Sequence, residues 1–231
     1  MPAHLNRDWT DRFRAPRWSL PSFARMRPER CALTGDVSGT WEVYSWSPGD
    51  APVQLTARPH GTTHTAITPD GGEVWWFADT DGDEFGGWRR QAWGTAPGAD
   101  QPGPAGLPAA YPAGLAFADD GSIAVGGSNE AGSTLWAIRP GGAPRVLYHH
   151  MQDAGIASIS RDGRYVAISH SERGDNRHPA VRVLDFAGEA VADLDDGPGK
   201  GLHALGFLGD SAELLVAHER AGRAELLVWS P

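Results

Sequence analysis

The densest group of potential metal ligands is the acidic run Asp79–Glu84, in which five of six side chains carry an oxygen acceptor. Calcium prefers oxygen ligands, and calcium-binding loops surround the ion with groups of this kind. Those loops place glycine sixth and a bidentate acid six residues later, whereas here glycine comes fourth and tryptophan or arginine follows. We therefore predict a polar hairpin turn with Gly82 at positive φ, and Asp79, Asp81 and Asp83 are the candidate ligands of the alternative metal site.

Histidine is the commonest zinc ligand, and the chain contains two close pairs of it. The pairs are His60 with His64, and His149 with His150. A spacing of four bridges a helix face, but the segment HGTTH falls between strands and holds no general base. His170-Ser171-Glu172 matches half of a deaminase motif whose other half needs two cysteines, and the chain has only Cys31. We predict no zinc site and no cofactor.

Ten tryptophans could form a cage for a carbohydrate or an aromatic ligand, because flat rings stack on such ligands. Four of them follow one another closely: Trp75, Trp76, Trp88 and Trp93. Their positions inside strands favour packing in the core instead.

All these residues belong to a repeated pattern of an apolar strand, an Asp-Gly turn, a second strand, a polar loop and a third strand. The turns are Asp70-Gly71, Asp120-Gly121 and Asp162-Gly163, spaced by 50 and 42 residues. Strands such as Tyr165–Ile168 are mostly apolar on both faces, as expected for a sheet sandwiched between two neighbours. This spacing and pattern predict the four-stranded blades of a β-propeller.

We predict an all-β fold with about four complete blades and a partial fifth. An N-terminal segment 1–21 precedes blades at about 22–60, 61–111, 112–154, 155–201 and 202–231. The propeller is expected to be open and to continue beyond this sequence; the alternative is a five-bladed ring closed by a strand from Arg17–Leu20. The Pro- and Gly-rich stretch Gly94–Pro112 predicts a long surface loop with an irregular outer strand. An open array exposes blade edges, through which the chain could self-associate.

Composition limits the partners. With 20 basic and 29 acidic residues the net charge is −9, which disfavours nucleic acid. No apolar stretch is long enough for a membrane span, and the first residues lack the apolar core of a secretory signal. A single cysteine suits a reducing compartment, so we expect a cytoplasmic protein.

The loops between second and third strands emerge on one face, opposite the Asp-Gly turns, and we call this face the rim. Its loops are 36–39, 79–85, 128–133, 171–178 and 219–223. Charged residues of both signs converge on this face, where they could recognise a partner protein or the terminus of a peptide. They are Glu84, Glu130, Glu172, Arg173, Arg177, Glu219 and Arg220. A merely solvated surface is the alternative.

Two stretches resemble one known family. VWWFADTDGDEFGGWRR, from Val74, and HERAGRAELLVWSP, from His218, are similar to the acylaminoacyl-peptidase-like branch of the prolyl oligopeptidase family of serine peptidases. The resemblance covers about Ser22 to Pro231. It implies a propeller that caps an α/β-hydrolase domain, admitting short peptides to an enclosed site.

The hydrolase nucleophile of that family requires a G-x-S-x-G elbow. Gly126–Glu130 lacks the closing glycine, and Gly35–Gly39 places serine one position late. No α/β-hydrolase domain and no catalytic residue is therefore identified, and the resemblance implies a non-catalytic gating role with the hydrolase domain or a peptide as partner. A free-standing propeller scaffold for protein binding is the alternative, and an autonomous propeller hydrolase is a third reading that no motif supports.

Overall fold

The computed structural model describes residues 15–173, 176–209 and 211–231, so residues 1–14 of the predicted N-terminal segment and residues 174–175 of one rim loop lie outside the described part. The described residues form nineteen β-strands and no helix. The strands build five antiparallel sheets arranged as the blades of a β-propeller, each with its strands in chain order. The all-β propeller with four complete blades and a partial fifth is confirmed.

The strands have the following bounds. The first blade contains β1 (Ser22–Ala24), β2 (Arg27–Gly35), β3 (Glu42–Trp46) and β4 (Val53–Gln54). The second contains β5 (Thr65–Ile67), β6 (Glu73–Asp79), β7 (Gly86–Ala92) and β8 (Gln101–Pro102). The third contains β9 (Tyr111–Phe117), β10 (Ile123–Asn129), β11 (Gly132–Ile138) and β12 (Arg145–His150). The fourth contains β13 (Ala154–Ile159), β14 (Tyr165–His170), β15 (Ala180–Asp185) and β16 (Ala190–Leu194). The fifth contains β17 (Leu202–Phe207), β18 (Leu214–His218) and β19 (Glu225–Trp229).

The Asp-Gly turns join the first and second strands of blades two to four. Gly71, Gly121 and Gly163 have φ values of 67°, 83° and 66°, a region that glycine enters without steric cost. The aspartates complete the turns: Asp70 accepts the amide of Gly72, and Asp120 accepts that of Ser122. Local chemistry therefore fixes where each blade reverses direction.

Burial on both faces of the strands holds neighbouring blades together. In β14, Val166 and Ile168 belong to the buried cluster shared with Leu135 of the third blade. Ala167, between them in sequence, belongs to the cluster shared with Leu214 of the fifth blade. The period of two thus places consecutive residues of one strand in two different interblade cores.

The hydrophobic core is interrupted at one position. One buried cluster joins the first and second blades, a second joins the third and fourth, and a third joins the fourth and fifth. Among the described residues no such cluster joins the second and third blades, whose junction we call the seam. The seam is crossed by edge-to-face ring contacts, Trp75 with Phe117 at 5.3 Å and Phe85 with Tyr111 at 5.2 Å.

The segment before β1 runs along β2. Trp18 forms a bridge with Gly35, the Ser19 amide donates to Thr34 O at 2.9 Å, and the Trp18 ring packs on Tyr44. This segment therefore extends the first blade, in line with β1. The alternative in which Arg17–Leu20 supplies the outer strand of the fifth blade is not what the structure forms.

The fifth blade has a free edge at β19, because its described sheet contains three strands. Its face away from the fourth blade leaves Leu205, Leu226 and Val228 at least half exposed. No helix in the described ranges has the length and apolar character needed to cross a membrane.

Candidate functional site

Three of the predicted rim residues are tied into ion pairs that reach the outer strands. Glu172 accepts both guanidinium nitrogens of Arg182 at 2.8 and 3.2 Å, and it also accepts the Tyr148 hydroxyl. Arg182 in turn donates to both carboxylate oxygens of Asp193 at 2.6 and 3.0 Å. Arg173 adds a further contact to Asp193 at 2.8 Å. We call these five residues the Arg182 network.

The two carboxylates of the Arg182 network are stabilised in their charged form. Burial alone would raise the pKa of Glu172, but the Tyr148 hydroxyl and the Arg182 guanidinium outweigh it and lower that pKa. Hydrogen bonds from Arg182 lower the pKa of Asp193, and burial followed by the Glu172 contact raises the pKa of Tyr148. Tyr148 lies on β12 and the other members belong to the fourth blade, so the network joins two blades and holds the rim loop between them.

Arg220 forms a similar tie between the fourth and fifth blades. Its Nε lies 2.8 Å from both carboxylate oxygens of Asp196, which follows β16 and is 7% exposed. The hydrogen bond that Arg220 donates to Asp196 raises the pKa of Arg220. The basic side of the predicted rim is thus partly neutralised by acids outside the rim loops.

Three predicted rim acids are exposed: Glu84, Glu130 and Glu219. Their carboxylates have no ion-pair or hydrogen-bond partner among the described residues. Arg177 is also exposed, and its backbone carbonyl lies beside Gly201. Glu84 adopts φ of 63°, held there because its amide donates to Asp79 Oδ2.

The acidic run Asp79–Glu84 forms a hairpin turn. Asp79 accepts the Gly82 amide at 2.8 Å, which lowers the pKa of that carboxyl, and Gly82 has the expected positive φ of 81°. Asp83 accepts the Phe85 amide, whereas Asp81 is exposed. In the described part of the chain no three His, Cys, Asp or Glu side chains are grouped to hold a metal ion.

A buried histidine that the sequence analysis considered only as part of a deaminase-like triplet lies beside the Arg182 network. His170 is fully buried, its Nδ1 is 4.0 Å from Glu172 Oε1, and neither ring nitrogen has a hydrogen-bond partner in the described structure. Burial, with a further contribution from Arg182, lowers the pKa of His170. Its position two residues after Ile168, on the same strand face, was the available signal.

The face opposite the rim is tied across the ring. Arg25, in the turn of the first blade, donates to Phe117 O at 2.9 Å and to Asp119 Oδ1 at 3.0 Å in the third blade. The Asp119 amide then donates to Arg161 O in the fourth blade at 2.8 Å.

Two clefts lie in the seam. The rim-side cleft, of about 850 Å³, lies between Trp88 on β7 and Trp136 on β11, beneath residues 97–110, which we call the strap. The second, of about 620 Å³, opens near the Asp-Gly turns. Of the four tryptophans considered for a ligand cage, Trp75 and Trp76 are buried in blade packing, and Trp88 is the half-buried one that borders the rim-side cleft.

No known family and no curated protein matches this sequence. Two solved structures are similar in fold. One comes from a structural and mechanistic study of two prolyl endopeptidases, with a TM-score of 0.66 and 12% identity over 95% of this chain and 35% of that chain. The other is TolB from Acinetobacter baumannii, with a TM-score of 0.61 and 14% identity over 93% of this chain and 54% of that one. The chain thus spans about a third to a half of these proteins, and it has a propeller fold similar to theirs.

Proposed function

We propose that this chain is the propeller portion of a prolyl oligopeptidase-type serine peptidase, which gates and selects peptides for an α/β-hydrolase domain outside this sequence. The observation that carries the proposal is the resemblance of the segment Val74–Arg90 to that family. The fold match to the prolyl endopeptidase, which takes in 95% of this chain but 35% of the larger protein, supports it. The study of that prolyl endopeptidase concerns the role of inter-domain dynamics in its catalysis and specificity.

In this proposal the rim discriminates between the two ends of an approaching peptide by their charge. The Arg182 network and the Arg220–Asp196 pair neutralise much of the basic charge, while Glu84, Glu130 and Glu219 project exposed carboxylates. In a chain of net charge −9 this arrangement attracts the ammonium group of a free amino terminus and repels a terminal carboxylate. The rim would therefore favour peptides that approach with the amino end first.

The free edge of β19 gives a partner segment a place to pair. A strand added there would satisfy unpaired backbone groups and cover Leu226 and Val228, which are 67% and 51% exposed. An edge of this kind is consistent with a further blade or with a partner domain beside the fifth blade.

The test combines this chain with a separately produced α/β-hydrolase domain of the matching type. We expect no hydrolysis of dipeptidyl or acyl-aminoacyl chromogenic substrates by the chain alone. Adding it to the hydrolase domain should preserve cleavage of these short substrates and suppress cleavage of a folded protein. Hydrolysis by the chain alone, or a substrate profile that its addition leaves unchanged, would contradict the proposal.

The role of the rim is tested with the combined variant Glu84→Gln, Glu130→Gln and Glu219→Gln. We expect a several-fold higher KM for peptides with a free amino terminus and an unchanged KM for their acylated counterparts. Glu29→Gln is the matched control, since Glu29 is an exposed glutamate near the Asp-Gly face. Equal effects on both substrate types, or an equal effect of Glu29→Gln, would argue against charge reading by the rim.

A free-standing scaffold is the second candidate function. TolB matches nearly as much of this chain as the prolyl endopeptidase does, with a similar TM-score. The fold alone therefore favours neither parent. Failure of the chain to alter the hydrolase domain in any assay would shift the proposal to a scaffold that binds proteins through its loop-bearing face.

A further inference from the structure

The seam differs from the other interblade junctions in what fills it. Where the neighbouring blades of the other pairs share a buried apolar cluster, the second and third blades are separated by the rim-side cleft of about 850 Å³. That volume is within the range of sites for small ligands and short peptides. The cleft lies between the second and third blades and is formed by residues other than those of the Arg182 network in the fourth blade.

Aromatic rings and glycines shape the cleft. Trp88 and Trp136 are half-buried, and Tyr111 is 46% exposed. The floor is open at Gly87, where an added Cβ would meet no atom within 4 Å. At Gly127 an added Cβ would lie 2.8 Å from the Ala110 Cβ and 3.4 Å from the Trp136 ring, so glycine there permits close packing. Rings beside an open floor form a groove into which an extended chain can lie.

The charged groups in the cleft wall are already paired. Arg89 forms an ion pair with Asp100, and Arg58 lies over the Trp76 ring and donates to the Asp79 carbonyl. The Asp79 carboxylate is occupied by the turn amides. A neutral ligand therefore suits this cleft better than an ionic one, because an ion would be desolvated without a partner.

Some hydrogen-bonding groups of the cleft wall have partners within the protein and one does not. The carbonyl of Trp88 accepts the Gly103 amide, and the carbonyls of Gly86 and Ala110 accept each other's amides. The buried indole N–H of Trp88, in contrast, has no acceptor among the described residues. Among these groups the wall thus has one unused donor, whereas the three named carbonyls are occupied, so a fitting ligand supplies an acceptor to the Trp88 indole.

We propose that the rim-side cleft of the seam binds a proline-rich peptide in the extended polyproline conformation. Such a peptide presents carbonyl acceptors and no backbone N–H at its prolines, and its flat apolar rings pack against aromatic side chains. Prolines of the strap, Pro97, Pro102 and Pro104, already border the same cleft. A sugar, whose hydroxyls are donors as well as acceptors, fits this hydrogen-bonding pattern less well. The site goes beyond the proposed gating function and needs no hydrolase domain.

The test is a titration of the full chain with acetylated, amidated decaproline, followed by calorimetry and tryptophan fluorescence. A Gly-Ser peptide of equal length is the control ligand. We expect saturable binding of decaproline and none of the control. Gly87→Leu, which fills the open floor at a position with ordinary φ, should weaken binding at least tenfold with an unchanged melting temperature.

A second variant keeps the test decisive if Gly87→Leu has a lower melting temperature than wild type. Tyr111→Ala removes a ring from the cleft and should weaken binding several-fold, whereas Trp18→Ala removes a similarly exposed ring from the first blade and should leave binding unchanged. No saturable binding, equal binding of the Gly-Ser peptide, or wild-type affinity in Gly87→Leu would overturn the proposal. So would binding of a cello-oligosaccharide that decaproline does not displace. Because the chain is titrated alone, these outcomes are independent of the complementation assay.

Discussion

Replacing Arg182 with methionine should destabilise the propeller strongly. Methionine keeps an apolar stem beside the Tyr148 ring but removes the guanidinium that binds Glu172 and Asp193 together. The Arg182 side chain is 14% exposed, and the two carboxylates are 23% and 21% exposed. The variant therefore leaves two largely buried acids without their main counter-charge.

The size of the effect follows from this burial. Removing one partner from a fully buried ion pair costs about 3–5 kcal/mol, because the remaining charge is left uncompensated. Residual exposure of the acids places Arg182→Met near the lower end, at about 3 kcal/mol. For a chain of this length each kcal/mol lowers the melting temperature by about 2–4 °C, so the expected shift is about 6–12 °C.

The assay is thermal unfolding followed by circular dichroism at neutral pH and moderate salt. Arg173→Ala is the matched control: it removes another arginine from Asp193, but that arginine is 50% exposed, so a cost of about 0–1 kcal/mol is expected. Adding Glu172→Gln and Asp193→Asn to Arg182→Met should recover part of the loss. The reasoning is refuted if Arg182→Met and Arg173→Ala shift the melting temperature equally, or if neutralising the acids recovers nothing.

Three further predictions concern other parts of the molecule. Burial lowers the pKa of His170, so the folded state resists protonation of this side chain. Its contribution to the free energy of unfolding is complete above the unfolded pKa of about 6.5 and declines as the pH falls below that value toward the lower folded pKa. Denaturant titrations should therefore show a smaller loss of unfolding free energy at acid pH in His170→Asn than in wild type. Gly86→Ala would place a Cβ 1.8 Å from the Ala78 carbonyl oxygen, and we expect a loss of about 1–3 kcal/mol or more in urea unfolding. Leu226→Lys with Val228→Lys adds charge beside the free edge of β19 and should reduce self-association in sedimentation velocity.

Each of these predictions has a matched comparison. An identical acid loss in wild type and His170→Asn would remove this histidine from the pH response. Gly87→Ala, where an added Cβ meets open space, should be close to neutral, and a cost equal to that of Gly86→Ala would show that the clash is not the cause. Val146→Lys, on the outer strand of a complete blade, should leave the sedimentation profile as it is in wild type.

The blade pattern could be predicted from sequence because its determinants are local. Asp70-Gly71 and its counterparts specify turns through the positive φ of glycine and the hydrogen bonds of aspartate, and the flanking strands need only alternate correctly. The pairing of the N-terminal segment with β2 could not be predicted from the sequence. Its pairing with Gly35 depends on the Trp18 ring finding the Tyr44 surface, which no local pattern records.

The electrostatics of the rim could be predicted only in part. The exposed acids follow from loop position, but the partners of Glu172 and Arg220 come from strands and loops ten or more residues away. A charged residue inside the apolar strand Ala180–Asp185 was the one visible trace of the Arg182 network. The seam was not predicted: the stretch Gly94–Pro112 indicated only a long surface loop, since pattern alone does not show which junction lacks a shared core.

The interruption of the core at the seam has a consequence for how the protein opens. Blades that share buried clusters lose their protection together, whereas blades joined by isolated ring contacts can separate at lower free energy. Amides of β2 and β6 should therefore exchange with deuterium as one cooperative group, and amides of β10, β14 and β18 as another. We therefore expect the molecule to open as two foldons that separate at the seam, while the contacts of Arg25 with Phe117 and Asp119 link the first blade to the third.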